Sequence, residues 1–74
     1  MTKNMSPKQE RFKRLATKRT NDILNRLRVL GNCANRSVYG YTEDEIQKIF
    51  AEIERKTKEV KSKFYFPENK EFRL

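Results

Sequence analysis

The chain has 74 residues, a single cysteine, no histidine and a formal net charge of +8 from 18 basic and 10 acidic side chains. A chain this short makes one small domain, burying only about 60% of the surface it exposes when unfolded, so a second subunit often completes its core. With no histidine and one cysteine, Cys33, it lacks the ligands for a tetrahedral thiolate or imidazole metal site and cannot form an internal disulfide.

The N-terminal stretch MTKNMSPKQERFKR has no apolar core of the signal-peptide kind, and residues 1–6 read as a flexible basic arm. No later segment approaches the roughly 20 apolar residues that span a bilayer. Together with a lone thiol that suits a reducing compartment, this gives the expectation of a soluble cytoplasmic protein without a membrane partner.

Two helix starts are written into the chain. Ser6, Pro7 and Gln9 supply an N-cap, a first-turn proline and the third-position amide of a capping box, so a first helix is expected over about 7–30. Phe12, Ala16, Thr20, Ile23, Leu27 and Leu30 recur three or four residues apart on one side, with Leu15 and Leu24 at its edges. Gly31 then suits a left-handed closing position. Residues 31–42 are expected to form an ordered loop, with Asn32 and Asn35 tying backbone and Val38, Tyr39 and Tyr41 plugging the open end of a hairpin. Thr42 and Glu45 form a second capping box with acids in the first turn, and Ile46, Ile49, Phe50, Ile53, Thr57, Val60 and Phe64 carry an apolar stripe toward Pro67. A second helix over about 43–65 follows, and Tyr41 is placed as a hydrophobic staple for Ile46.

The fold class expected is therefore all-α: an antiparallel two-helix hairpin spanning residues 7–65, followed by an aromatic C-terminal tail over 66–74. Each stripe in such a hairpin is covered from one side only. A homodimer, closing into a four-helix bundle, or the tail itself with Tyr65, Phe66 and Phe72, is expected to cover the rest.

Charge separates the two helices. Residues 1–36 hold ten Lys or Arg against Glu10 and Asp22, whereas residues 37–74 hold eight of each sign. In the second helix Asp44–Lys48, Glu52–Lys56, Glu54–Lys58 and Glu59–Lys63 all stand at i,i+4 with the acid first. In the first helix only Glu10–Arg14 and Asp22–Arg26 do so. Its outward side runs Arg11, Arg14, Lys18, Asn21, Asn25, Arg28, a continuous stripe of donors. Basic residues near a helix N-terminus also oppose the macrodipole. A hairpin would bring Lys58, Lys61 and Lys63 alongside Lys8, Arg11, Lys13 and Arg14. The chemistry that answers such a cluster is an anion, phosphate above all.

These residues, with Arg36 from the loop, form the expected nucleic-acid-binding set. A lysine-rich surface also serves solubility alone, and an acidic protein surface is a further answer. The third helix of a helix-turn-helix, a zinc finger and an RNP-type strand are all missing from the pattern, so contacts should be led by the backbone, with Asn21 and Asn25 the helix-face residues suited to base edges. Catalysis is not expected. The chain has no histidine for general base work, the Gly31–Gly40 stretch does not match a phosphate loop, and Cys33, just beyond a helix C-terminus, lacks the electropositive surroundings that activate a thiol. No cofactor is implied, and the Asn35-Arg36-Ser37 sequon has no meaning in a cytoplasmic chain.

The run RTNDILNRLRVLGNCANRSVYGYTEDEIQKIF carries a further signal. It resembles a family of short uncharacterised bacterial proteins, some borne on mobile elements, with a core of the form R-x-x-x-x-L-x-x-L-x-x-L-G-N-x-x-N-x-S-x-Y-x-Y-T-E-E-x-I-x-K-I-F followed by a charged helix. The matching residues are Arg19, Leu30, Gly31, Asn32, Asn35, Ser37, Tyr39, Tyr41, Thr42, Glu43, Ile46, Lys48, Ile49 and Phe50, and the likeness spans about residues 11–64. What the mobile-element association implies is nucleic-acid handling, or binding and inhibition of a host nucleoprotein machine, rather than metabolism. Two functional classes result: a non-enzymatic basic accessory protein that contacts DNA or RNA, and an adaptor or inhibitor that docks on a nucleoprotein complex or another acidic protein surface, using Tyr65 and Phe66.

Overall fold

The computed structural model describes residues 6–66; Phe72, Pro67, most of the N-terminal arm and most of the aromatic tail lie outside them. The described residues form two α-helices and a short 3-10 turn, and no strand occurs among them. Helix α1 runs Pro7–Gly31, the 3-10 turn Asn32–Ala34 and helix α2 Glu43–Lys61. The chain divides at Gly40 into two units, one built on α1 and one on α2.

Both helices begin where their side chains dictate. The Gln9 backbone N–H donates to Ser6 Oγ at 3.1 Å, and the Ser6 N–H donates to Gln9 Oε1 at 2.9 Å. At α2 the same reciprocal pair joins Glu45 N–H to Thr42 Oγ1 at 3.1 Å and Thr42 N–H to Glu45 Oε1 at 2.9 Å. Each box satisfies two of the backbone donors that a helix start leaves unpaired. Tyr41 and Ile46, at the two staple positions around the Thr42 cap, are both half-buried among exposed neighbours.

The helix ends differ from expectation. Gly31 has φ −60° and ψ −22°, ordinary right-handed geometry, and no residue with positive φ occurs among the described residues. Gly31 is thus the last residue of α1 rather than a left-handed stop. The backbone tightens into the 3-10 turn instead, the Asn32 N–H reaching back to the carbonyls of Val29 and Leu30. Asn35 then ends the turn with extended geometry, and its side-chain oxygen accepts from the Ser37 N–H at 3.0 Å while its carbonyl accepts from Val38 and Tyr39 at 3.1 and 2.9 Å. Asparagine ties this loop to itself, an Asx turn, rather than to a helix end. Val38 and Tyr39 stand 66% and 50% exposed, so of the three expected plugs only Tyr41 is half-covered.

Helix α2 closes at Lys61, short of the residue-65 limit set by the apolar stripe. Ser62 is the reason. Its N–H donates to the Lys58 carbonyl at 3.0 Å and its hydroxyl to the Glu59 carbonyl at 2.7 Å, a local bond that competes with further helix. The next two residues turn, Lys63 and Phe64 donating to the Val60 and Lys61 carbonyls at 3.0 and 3.1 Å. Within α2 the same chemistry lets Thr57 sit on the stripe, because its hydroxyl donates to the Ile53 carbonyl at 2.8 Å.

None of the described residues is buried. The apolar stripes that the sequence lays down are real helical faces, but Phe12 and Ile23 are each 59% exposed on α1, and Phe50 and Val60 each 44% on α2. Leu15, Ala16 and Leu30 on α1 and Ile46 and Ile53 on α2 are half-buried, the coverage that neighbouring turns of one helix give. No helix among the described residues is long and apolar enough to cross a membrane.

Candidate nucleic-acid interface

The expected contact residues fall on three pieces of backbone. Arg11, Arg14, Lys18, Asn21, Asn25 and Arg28 lie along α1; Arg36 lies in the loop turn; Lys58 and Lys61 occupy the last turn of α2 and Lys63 the turn beyond. All of them are exposed. At 1.5 Å per residue, the interval from Arg11 to Arg28 is roughly 25 Å long, a span that suits several successive phosphates.

The stripe on α1 is partly organised by itself. Arg28 donates from Nη2 to Asn25 Oδ1 at 2.8 Å, which holds the guanidinium over the helix surface and leaves the amide NH₂ of Asn25 as its remaining donor group. Lys18 Nζ lies 3.2 Å from Asp22 Oδ2. This pair runs base first, and it replaces the expected Asp22–Arg26 pair. The carboxylate had lysine four residues before it and arginine four residues after it. Choosing the first frees the second.

Among the described residues, Arg11, Lys13, Arg14, Arg19 and Arg26 form no ion pair, and the expected Glu10–Arg14 pair is not made. Arg19 and Arg26 are therefore cationic positions that the outward stripe leaves out. Seven residues apart, they share one flank of α1 on the other side of the apolar face from Arg28. For Arg26 the signal was present in the sequence as the two-way choice open to Asp22; for Arg19 it was the lack of an acid four residues away on either side.

Helix α2 is organised differently. Arg55 bonds both carboxylate oxygens of Glu52, reaches Glu59 Oε1 at 3.4 Å, and shares that oxygen with Lys56 at 3.2 Å. Asp44 and Lys48 pair at 3.5 Å as expected. The other three acid-first pairs are not formed among the described residues; for Glu52 and Glu59 the guanidinium fork of Arg55, which matches a carboxylate in two places where a lysine offers one, takes their place, and nothing in the structure explains the absence of the Glu54–Lys58 pair. The Arg55 hydrogen bond and its charge hold the Glu52 carboxyl below its ordinary 4.5, and the same bond raises the Arg55 guanidinium.

No cluster of three or more His, Cys, Asp or Glu suited to a metal occurs among the described residues. Cys33 is exposed in the 3-10 turn. Two depressions on α1, one lined by Ala16, Thr17, Thr20 and Asn21 and the other by Glu10, Lys13, Arg14 and Thr17, are open surface features rather than enclosed cavities. The chemistry on offer is that of a surface with many donors and few acceptors. Comparison with protein-family models, with curated proteins and with solved structures returns no match for this chain.

Proposed function

We propose that this protein is a non-enzymatic, nucleic-acid-binding accessory protein that grips the phosphate backbone of DNA or RNA with α1. The observation that carries the reading is the run Arg11, Lys13, Arg14 near a helix N-terminus, without an ion-pair partner among the described residues. These three cations lie past the first turn, where the helix dipole acts, and draw no compensation from a carboxylate of their own helix. Phosphates would neutralise them and add counterion release. Arg11, Arg14, Lys18 and Arg28 supply phosphate contacts, and Asn21 and Asn25 the donors that reach base edges. Arg36, Lys58, Lys61 and Lys63 extend the surface with less weight, since α2 already balances much of its own charge.

The exposed stripes supply the reason for assembly. In the proposed form α1 and α2 fold as an antiparallel hairpin, and two copies close a four-helix bundle in which those stripes cover one another. A second reading, docking on a nucleoprotein complex or another acidic protein surface, is favoured by the aromatic exit from α2, where Tyr65 and Phe66 are 80% and 84% exposed. Fluorescence anisotropy with labelled duplex and single strands separates the two. Nucleic-acid binding should weaken with salt along a log–log line whose slope counts displaced counterions, and no binding at ~50 mM salt sinks the first reading.

A further inference from the structure

The α2 face has two properties that point to the same occupant. Its positions Ile46, Phe50, Ile53, Thr57 and Val60 step alternately by four and three residues, the spacing of a coiled-coil seam, with Ile49 beside them. The series is also symmetric about Arg55: turned end for end, Phe50 falls opposite Val60 and Ile53 opposite Thr57. Thr57 fits such a seam because its hydroxyl is already bonded to the Ile53 carbonyl.

Charge follows the same midpoint. Before Arg55 the helix carries Glu43, Asp44, Glu45, Glu52 and Glu54 against Lys48; from Arg55 to its end it carries Arg55, Lys56, Lys58 and Lys61 against Glu59, with Lys63 in the turn beyond. The helix dipole accounts for acids in the first turn and bases in the last. It does not account for Glu52 and Glu54 meeting Arg55 and Lys56 in the middle. A helix divided this way repels a parallel copy of itself along its whole length and attracts an antiparallel one.

We infer that α2 pairs antiparallel with α2 of a second copy about a two-fold axis near Arg55, each acidic half lying against the other's basic half. This rests on the dimer proposed above and specifies its seam. It is isologous, so it closes at two chains. It also gives the lysines at the end of α2 a use in assembly, and leaves α1 as the seat of phosphate binding.

The pairing is tested by cross-linking in a Cys33→Ser background, with one chain carrying Gln47→Cys and another Lys61→Cys, mixed and mildly oxidised. The antiparallel seam sets 47 beside 61, so the mixed disulfide dimer should exceed either self-linked dimer by at least ~10-fold, in line with a specific rather than a random encounter. Self-linked 47–47 and 61–61 products without the mixed one would overturn the orientation. Light scattering on the unlinked wild-type chain keeps the two levels apart. A dimer with no 47–61 link overturns this seam and leaves the dimer standing, whereas a monomer overturns both. Lys61→Glu with Lys63→Glu should weaken the dimer ~10-fold or more at low salt and less at high salt; equal weakening at both would contradict the role given to charge.

Discussion

Helices α1 and α2 start the same way and spend their charge differently. Each opens with a complete capping box. Helix α2 then places Glu43, Asp44 and Glu45 in its first turn and Lys58 and Lys61 in its last, and forms four ion pairs among the described residues. Helix α1 has one acid, Glu10, in its first turn and one ion pair, Lys18–Asp22, over 25 residues. The difference teaches where to look for a partner. A helix whose charges nearly cancel has little left to offer a polyanion, and α2, with six acids and five bases over Glu43–Lys61, is close to neutral. Most of the guanidinium groups of α1 are unanswered.

Reversing the unanswered charge should have the largest effect. Arg11→Glu with Arg14→Glu is expected to lower nucleic-acid affinity at least ~100-fold at ~100 mM salt, with helicity by circular dichroism unchanged, since both side chains are exposed and form no ion pair among the described residues. A matched loss of helicity would show those arginines to be structural, and the contrast between the helices would lose its functional meaning.

The shared feature can be broken next. Thr42→Ala removes the acceptor for the Glu45 N–H and should cost α2 about 1 kcal/mol, read as a lower helical signal or midpoint; Ser6→Ala should cost α1 a similar amount. Unequal responses would mean that one helix owes its start to something other than its cap.

Gly31 sharpens the comparison from the other end. Its φ of −60° and the open space around an added Cβ predict that Gly31→Ala stabilises α1 by about 0.4–1 kcal/mol. A glycine held left-handed would respond with a loss instead. The smallest effect is one of pH. Arg55 holds the Glu52 carboxyl below 4.5, so the pair's contribution to α2 is complete above that value and fades as pH falls through the lowered one. An acid titration followed by circular dichroism should show α2 losing helix below pH 4.5, and Arg55→Ala should reduce that loss.

How far the chain could be read follows from the range of the forces involved. Helix starts were legible because Ser6 with Gln9 and Thr42 with Glu45 are side-chain devices acting across three residues. Helix ends were less so. A backbone can stop by several routes of similar energy, and both the 3-10 turn after Gly31 and the Ser62 hydroxyl on the Glu59 carbonyl are choices among them. The basic stripe was legible as spacing, but its internal partners were not. Asp22 had two cations within reach, and Glu52 had both Arg55 and Lys56; geometry and guanidinium shape decided. Arg26 stayed hidden for that reason, whereas Arg19, with no acid four residues away on either side, was legible as unpaired.

The central claim is that α1 is a phosphate-binding helix. The most direct test is equilibrium anisotropy of the wild-type protein with a labelled duplex and a labelled single strand, titrated from ~50 to 200 mM salt. The account predicts measurable binding at the low end and a log–log slope of several, reduced by about one for each contact removed by Arg11→Ala or Arg14→Ala. Binding absent at ~50 mM salt, or present with a slope near zero, would contradict it.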